Sequence, residues 1–407
     1  MSFAFAGYAG YAGYAGYAGY AGYAGYAGYA GLASKAGEGD PLLADAVVTS
    51  RDATMVLPLS LPEWQTQWHP KKSWSGLPKC DDTDQLPGVE THVRGFLYEF
   101  ELLTNTSFSK VGSDTCELSL MGKRSITIQR PDRIVFEKQL AIVDNWATRR
   151  EERLREVVSQ MLPQVPFWAA VCNLHPQRNA KTLELLEIAQ KFAMLCVMRF
   201  KQALACPRPV EYSPNLQPMI ATPGYAALPS GHATEGFMAA HVLRELLGQE
   251  VQSPVDVQLQ KLAARIAENR VVAGLHFPVD SAAGRMLGDT LAGFFVAFCK
   301  GQKGSTWSTR RFIGPKFAGD ADWCWNEALD GSSTRSKHVG KASSAHADLS
   351  ETAPMLRWLW AQAQAEQRLA GFVIEPTQSA SLPAAVSKPR SAKVAAPKSR
   401  GAKAGAR

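Results

Sequence analysis

Between Glu137 and Cys299 apolar residues recur three and four positions apart in one segment after another: Ile142 to Met161, Leu183 to Leu204, His232 to Leu247, Val257 to about Gly274, and Ser281 to Cys299. That spacing is the repeat of an amphipathic helix, whose apolar stripe must be buried against a neighbour. The fold class this predicts is mainly α, a helical bundle over residues 137–300. A further run, Pro354 to Leu369, carries Leu356, Trp358, Leu359 and Trp360 and predicts a packing helix, so that 301–375 reads as a polar linker followed by that helix.

Upstream the pattern differs. Residues 40–136 hold proline, tryptophan and short β-like runs such as Phe96 to Leu102 and Ser125 to Gln129, which predicts a small irregular, β-containing N-terminal region without assignable chemistry. Trp64, Trp68 and Trp74 suit a ligand groove or, as aromatics at such spacing commonly do, the cover of a core. Residues 1–39 are low-complexity: Ala-Gly-Tyr repeats without interruption over 6–31 and absorbs eight of the eleven tyrosines, from Tyr8 to Tyr29. With no larger apolar residue such a segment cannot form a core, so disorder is expected, with self-association through tyrosine as the functional alternative. Residues 376–407, rich in Ala, Pro, Ser, Lys and Arg, read as a disordered basic tail.

The net charge of +7 belongs to that tail. Seven of the 44 basic residues follow Glu375 with no acid among them, which leaves residues 1–375 balanced at 37 of each sign. The body therefore gives no electrostatic reason to bind nucleic acid, whereas the tail allows weak nonspecific contact with polyanions. A polyanion-binding or scaffold protein acting through repeat and tail is the non-enzymatic alternative. Seven scattered cysteines without a CxxC pair predict reduced thiols rather than staples or a zinc site. No signal peptide is recognisable, and the longest uncharged apolar run, Thr290 to Cys299, is far short of the roughly 20 residues that span a bilayer. A soluble chain without a transmembrane segment is expected, cytoplasmic by default and of open oligomeric state.

Three polar segments interrupt the apolar helices. Lys201 ends the run Leu183 to Leu204, and Cys206-Pro207-Arg208-Pro209 follows, where Pro209 should push Arg208 onto an extended turn. Taken alone, these cations are also ordinary partners for a helix C-terminus. Leu228-Pro229-Ser230-Gly231-His232 precedes the next run: Ser230 is placed to cap, Gly231 lets a ligand approach the backbone, and the first-turn N–H groups form an anion site. Asn269-Arg270 leads to His276 and Asp280, and a carboxylate near an imidazole can hold its Nδ1–H so that Nε2 is free to attack. The plain alternative has Asp280 capping a helix from Ser281 and His276 in the core. Together the segments offer Lys201, Arg208 and Arg270 as three permanent positive charges, a helix N-terminus and two histidines, a set suited to a tetrahedral oxyanion.

In order and at full spacing, Lys201 to Pro209 (KxxxxxxRP), Pro229 to His232 (PSGH) and Arg270 to Asp280 (RxxxxxHxxxD) resemble the three signature motifs of the type 2 phosphatidic acid phosphatase and vanadium haloperoxidase superfamily. The resemblance covers about residues 140–300. It implies that Lys201, Arg208, Ser230, the Gly231 backbone and Arg270 bind the oxyanion, that His276 bonds to phosphorus or vanadium and Asp280 orients it, and that His232 is the general acid and base. Asn269, where membrane lipid phosphatases commonly have Ser, and Tyr225, where haloperoxidases line the pocket with an aromatic residue or histidine, move the resemblance toward the soluble branch. The expected function is phosphoric monoester hydrolysis through a phosphohistidine, acting on a small phosphorylated substrate with no cofactor. The alternative is a vanadate-dependent haloperoxidase using halide and hydrogen peroxide, with vanadate on His276 as its cofactor.

Overall fold

The structure, a computed structural model, describes residues 79–369 apart from Leu162, Thr334 and Arg335. The Ala-Gly-Tyr repeat, Trp64, Trp68, Trp74 and the basic tail lie outside the described residues. In chain order the elements are α1 (Thr91–Thr104), β1 (Thr106–Lys110), β2 (Thr115–Leu120), β3 (Lys123–Gln129), α2 (Arg133–Ala147), α3 (Arg150–Ser159), α4 (Val165–Cys172) and α5 (Ala180–Leu204). They continue with the single turn α6 (Pro209–Tyr212), then α7 (Gly231–Leu246), α8 (Pro254–Val272), α9 (Pro278–Lys300), β4 (Ser305–Ile313), β5 (Ser343–Ala347) and α10 (Pro354–Leu369). The fold is mainly α, as the periodicity requires.

At the centre stands α7, which packs on α5, α8 and α9. It is buried nearly all round, with Phe237, Met238, Ala239, Ala240, Val242 and Leu243 among its buried residues and only a narrow stripe through Glu235, His241 and Glu245 part-exposed, as befits a helix in the middle of a bundle. Helix α9 alone among the described helices is long and apolar enough to cross a membrane by length and composition, but 83% of its most apolar stretch is buried inside the protein, which makes it a core helix. It comes close to α7 because Gly284 and Gly288 face it one turn apart. A Cβ on Gly284 would stand 2.6 Å from the Ser230 carbonyl oxygen, and one on Gly288 would collide with the Thr234 carbonyl. Small residues at this crossing let the start of α9 lie against the first turn of α7, and the site is built there.

Three readings of the sequence are corrected. Phe96–Leu102 is not a strand but the middle of α1: Arg94, Tyr98, Glu101 and Leu102 are the buried residues, three and four apart, and this helical burial outweighs the β preference of the aromatic residues. The single helix expected over Ile142 to Met161 breaks after Ala147, where Thr148 Oγ1 donates to the Asn145 carbonyl at 2.7 Å and the chain restarts as α3. The polar stretch after residue 300 contains β4 and β5, which complete a five-stranded sheet in the order β1-β2-β3-β4-β5. Only β3 and β4 are parallel, with Ile126 opposite Arg310, so the helices from α2 to α9 form one long crossover between adjacent strands. Trp307 of β4, buried against Phe294 with its Nε1 donating to Ser125 Oγ at 2.9 Å, ties sheet to bundle. The strand Ser125–Gln129 falls inside β3. All seven cysteines are free thiols, five of them buried.

Candidate active site

Helix ends converge on a cavity of about 160 Å³. Lys201 comes from the last turn of α5, Arg208 from the turn beyond it, Gly231 and His232 from the first turn of α7, Arg270 from the last turn of α8, and His276 from the link into α9. All six line the cavity, with Tyr225 on its exposed side, although 75 residues separate Lys201 from His276. Ser230 and Asp280 are fully buried behind this wall. Ser230 Oγ accepts the Ala233 N–H at 3.4 Å, so it caps α7, and the backbone amides of Gly231 and His232 belong to the first turn, where helical N–H groups have no partner within the helix.

His276 has one internally consistent tautomer. Its Nδ1 lies 3.0 Å from Asp280 Oδ2, and its Nε2 lies 3.0 Å from Arg208 Nη1. A guanidinium only donates, so Nε2 is the acceptor and the proton sits on Nδ1, held by the carboxylate. The lone pair on Nε2 is therefore engaged by Arg208 rather than free. Asp280 lies within the first turn of α9, which begins three residues before Ser281, and its Oδ2 also accepts the Phe277 N–H at 2.9 Å. The carboxylate both steadies the helix start and holds the His276 ring, so capping the helix and bonding the imidazole are not alternatives here. Gln139 Oε1 accepts the Val279 N–H at 3.1 Å and fixes the same turn from α2.

The cations are held by backbone carbonyls. Lys201 Nζ donates to the Ala226 and Ala227 carbonyls. Arg208, extended at φ −80° and ψ 159° as Pro209 requires, donates from Nε to Tyr225 O and from Nη1 to Leu275 O, both at 3.0 Å. Both cations lie over the Tyr225 ring, 5.5 and 5.3 Å from its centroid. Arg270 Nη2 donates to Val157 O and Gln160 Oε1. Arg208 Nη2 and Arg270 Nε are buried donors with no partner among the described residues, and both arginines face the cavity. A buried unpaired donor is costly, and a tetrahedral oxyanion between the two guanidinia would satisfy both.

Burial disfavours the charged form of each titratable group in the pocket. Burial, then Arg208, pushes Lys201 below the ordinary lysine range, opposed by Asp280. Burial alone lowers Arg270 to about 10. His276 is held well below the usual histidine range by burial, then by Arg208 and Lys201. His232 is lowered to about 3 by burial and then Arg270. Asp280 is raised to about 6 by burial, opposed by the Phe277 N–H and the two nearby cations. An anion in the cavity would oppose the cationic shifts, since an opposite charge favours the charged form.

His232 Nε2 lies 2.9 Å from the Gln160 carbonyl, which only accepts, so Nε2 carries the hydrogen and Nδ1 is the nitrogen open to exchange a proton. Gln160 has no place in the sequence reading, yet it holds two site residues: its carbonyl fixes His232, and its Oε1 takes hydrogen bonds from Arg270 and from Asn269. Asn269 does not line the cavity; it bridges Gln160 to Glu156 and accepts from Arg153. A signal existed, since Arg153, Val157 and Gln160 share one buried stripe and two of the three are polar. Gln164, Gln190 and Glu235 also line the cavity and are absent from the sequence reading. Among the described residues no group of three or more His, Cys, Asp or Glu is placed to hold a metal cation.

Residues 187–303 match the sequence profile of the PAP2 superfamily, a span running from within α5 to just short of β4 that contains every residue discussed above except those of α2, α3 and the α3–α4 link. No curated protein matches the chain.

Proposed function

Through residues 187–303 the chain belongs to the PAP2 superfamily of phosphatases and haloperoxidases, and from this premise we propose that it hydrolyses phosphoric monoesters through a covalent phosphohistidine at His276. The observation that carries the reading is the His276 ring, with Nδ1–H held on Asp280 and the Nε2 lone pair held by Arg208 Nη1, in a cavity whose arginines keep two buried donors, Arg208 Nη2 and Arg270 Nε, without partners among the described residues. Phosphoryl transfer spreads negative charge over three equatorial oxygens, and donors already in place stabilise that charge without reorganising. Arg208 and Arg270 supply the unpaired N–H groups, Lys201 a third cation, and Gly231 and His232 their first-turn amides.

As the ester enters, Arg208 Nη1 passes from Nε2 to a phosphate oxygen, which releases the lone pair at the moment of attack. Nε2 forms the bond to phosphorus while the bond to the ester oxygen breaks, and His232, protonated at Nδ1 in the presence of the anion, gives its proton to the leaving oxygen. The same Nδ1 then takes a proton from water, whose oxygen displaces His276 from phosphorus and leaves inorganic phosphate. Asp280 holds Nδ1–H of His276 throughout and stabilises the positive ring.

The donor set also fits vanadate, which resembles the five-coordinate transition state and on this reading inhibits. The experiment is a paired assay of phosphomonoester hydrolysis and peroxide-dependent bromination after vanadate loading, with His276→Ala in parallel. Hydrolysis by the wild type, inhibited by vanadate and lost in His276→Ala with helix content intact, is expected. Bromination that requires vanadate, without hydrolysis, overturns the reaction. Near wild-type turnover by His276→Ala overturns the covalent mechanism.

A further inference from the structure

The cavity extends well beyond the oxyanion donors. Along α5 its wall is a single stripe, Lys201, Met198, Val197, Met194 and Gln190, and at 1.5 Å of rise per residue Gln190 lies about 16 Å from Lys201 along the helix axis. The middle of the stripe is apolar, and Met161 and Ile220 face the same space. Beyond the methionines the lining becomes polar again. Gln164 and Gln190 are each only 3% exposed; Gln164 Oε1 and Nε2 and Gln190 Nε2 are buried without a hydrogen-bond partner among the described residues. Gln164 stands at the N-cap position of α4 and makes no side-chain cap, so it is not oriented by its own helix. Glu235, one turn along α7 from Gly231, adds a carboxylate to this wall.

Two buried amides lining one cavity require an explanation, since burying an unpaired amide atom costs about 1–3 kcal/mol each. Core packing does not supply it, because a Leu or Met of the same volume would fill either position without that cost. Nor does the oxyanion, which already has its donors at the other end of the cavity. Gln164 offers both a donor and an acceptor, which complements a group that itself donates and accepts.

Resting on the oxyanion reading above, we infer that Gln164 and Gln190 form a second subsite that selects phosphoric monoesters whose leaving group carries a neutral donor–acceptor group, a hydroxyl or carboxamide, at the end of an apolar spacer. The methionines contact the spacer and adapt to its shape. Such a substrate is anchored at both ends, so a simple alkyl phosphate of equal length gains only the middle.

Non-hydrolysable alkylphosphonates test this without turnover. A series of about eight to twelve carbons reaches up to the roughly 16 Å set by the helical rise, each prepared with a terminal hydroxyl and with a methyl in its place. Calorimetric titration of the full chain is expected to show inorganic phosphate binding and, at the best chain length, the hydroxyl form binding about tenfold tighter than its methyl partner, the gain of one to two hydrogen bonds. In the double variant Gln164→Met, Gln190→Met that ratio should fall to about twofold or less, with inorganic phosphate as the reference in each protein. Phosphate binding with no hydroxyl preference at any chain length in the wild type overturns the subsite and leaves the oxyanion pocket standing. A preference that survives the double substitution also overturns it. Failure of phosphate and every phosphonate to bind instead overturns the oxyanion reading, and the subsite with it.

Discussion

Arg270→Met should make the protein more stable and useless for binding anions. Arg270 is 1% exposed, and burial alone lowers its guanidinium from 12.5 to about 10. At about 1.36 kcal/mol per unit, the folded state carries a cost of about 3 kcal/mol for keeping this charge at any pH below about 10. Methionine fills most of the volume without the charge, and it removes the unpaired Nε. What is lost is one hydrogen bond to the Val157 carbonyl, about 1 kcal/mol, since Gln160 Oε1 keeps its bond from Asn269 at 2.9 Å. The net expectation is a gain of about 2 kcal/mol in anion-free buffer, a rise in Tm of about 5 °C. Phosphate or vanadate at 100 times its Kd should add about 2.7 kcal/mol to the wild type and little to the variant, so their order of stability reverses. Melting curves with and without anion read both effects. A variant less stable than the wild type in anion-free buffer, or one still stabilised fully by the anion, would refute the account of a pocket charged at the expense of the fold.

Acid should destabilise the anion-free protein through His232: the unfolded chain binds a proton near pH 6.5 while the folded state resists until about 3, so stability falls as pH drops through that window. Bound phosphate, which favours the protonated ring, should flatten the loss, and an unfolding free energy independent of pH between 6.5 and 3 counts against a buried neutral His232. Two Gly→Ala changes on α9 should differ in sign. Gly288→Ala drives a methyl into the Thr234 carbonyl and should cost about 1–3 kcal/mol, whereas Gly293, whose nearest neighbour would stand 4.0 Å away, should gain about 0.5–1 kcal/mol from helix propensity in denaturant titrations. Asp280→Asn should leave helix content unchanged and lower turnover by about 10³–10⁴-fold, as amide replacement does where a carboxylate fixes a catalytic imidazole; steady-state rates within tenfold of the wild type would place His276 orientation elsewhere.

The helices and the residues that converge on the cavity were legible because each leaves a mark in one dimension. Apolar spacing locates α5 and α7 to α9 within a few residues, and Arg208 shows its extended backbone through Pro209. The sheet was half-legible: β3 alternates, but β4 buries only Trp307 and Phe312 of its nine residues, so it looks polar until β3 and β5 flank it. In α1 the aromatics read locally as a strand because the faces that bury Tyr98 and expose Phe96 and Phe100 are fixed by α5 and α10, not by local preference. Gln160 left the faintest signal, for a backbone carbonyl that orients a histidine 72 residues away has no side-chain requirement to betray it.

What the sequence could not express is the balance between the pocket and its frame. Lys201, Arg208 and Arg270 are forced together without sufficient counter-charge, and left alone they would spread apart or lose protons. They stay because each is tied to carbonyls of a neighbouring segment, Ala226 and Ala227, Tyr225 and Leu275, and Val157, and because those segments are clamped by α9 lying on α7. The clamp depends on Gly284 and Gly288, residues that touch no ligand. Widening that crossing would let the start of α9 withdraw, and with it Asp280, whose carbonyl accepts the Ser230 N–H at 2.9 Å while its carboxylate holds His276. One aspartate thus joins the first turn of α7 to His276 through its backbone and its side chain, so packing energy far from the cavity sets both the geometry and the charge on the cavity wall.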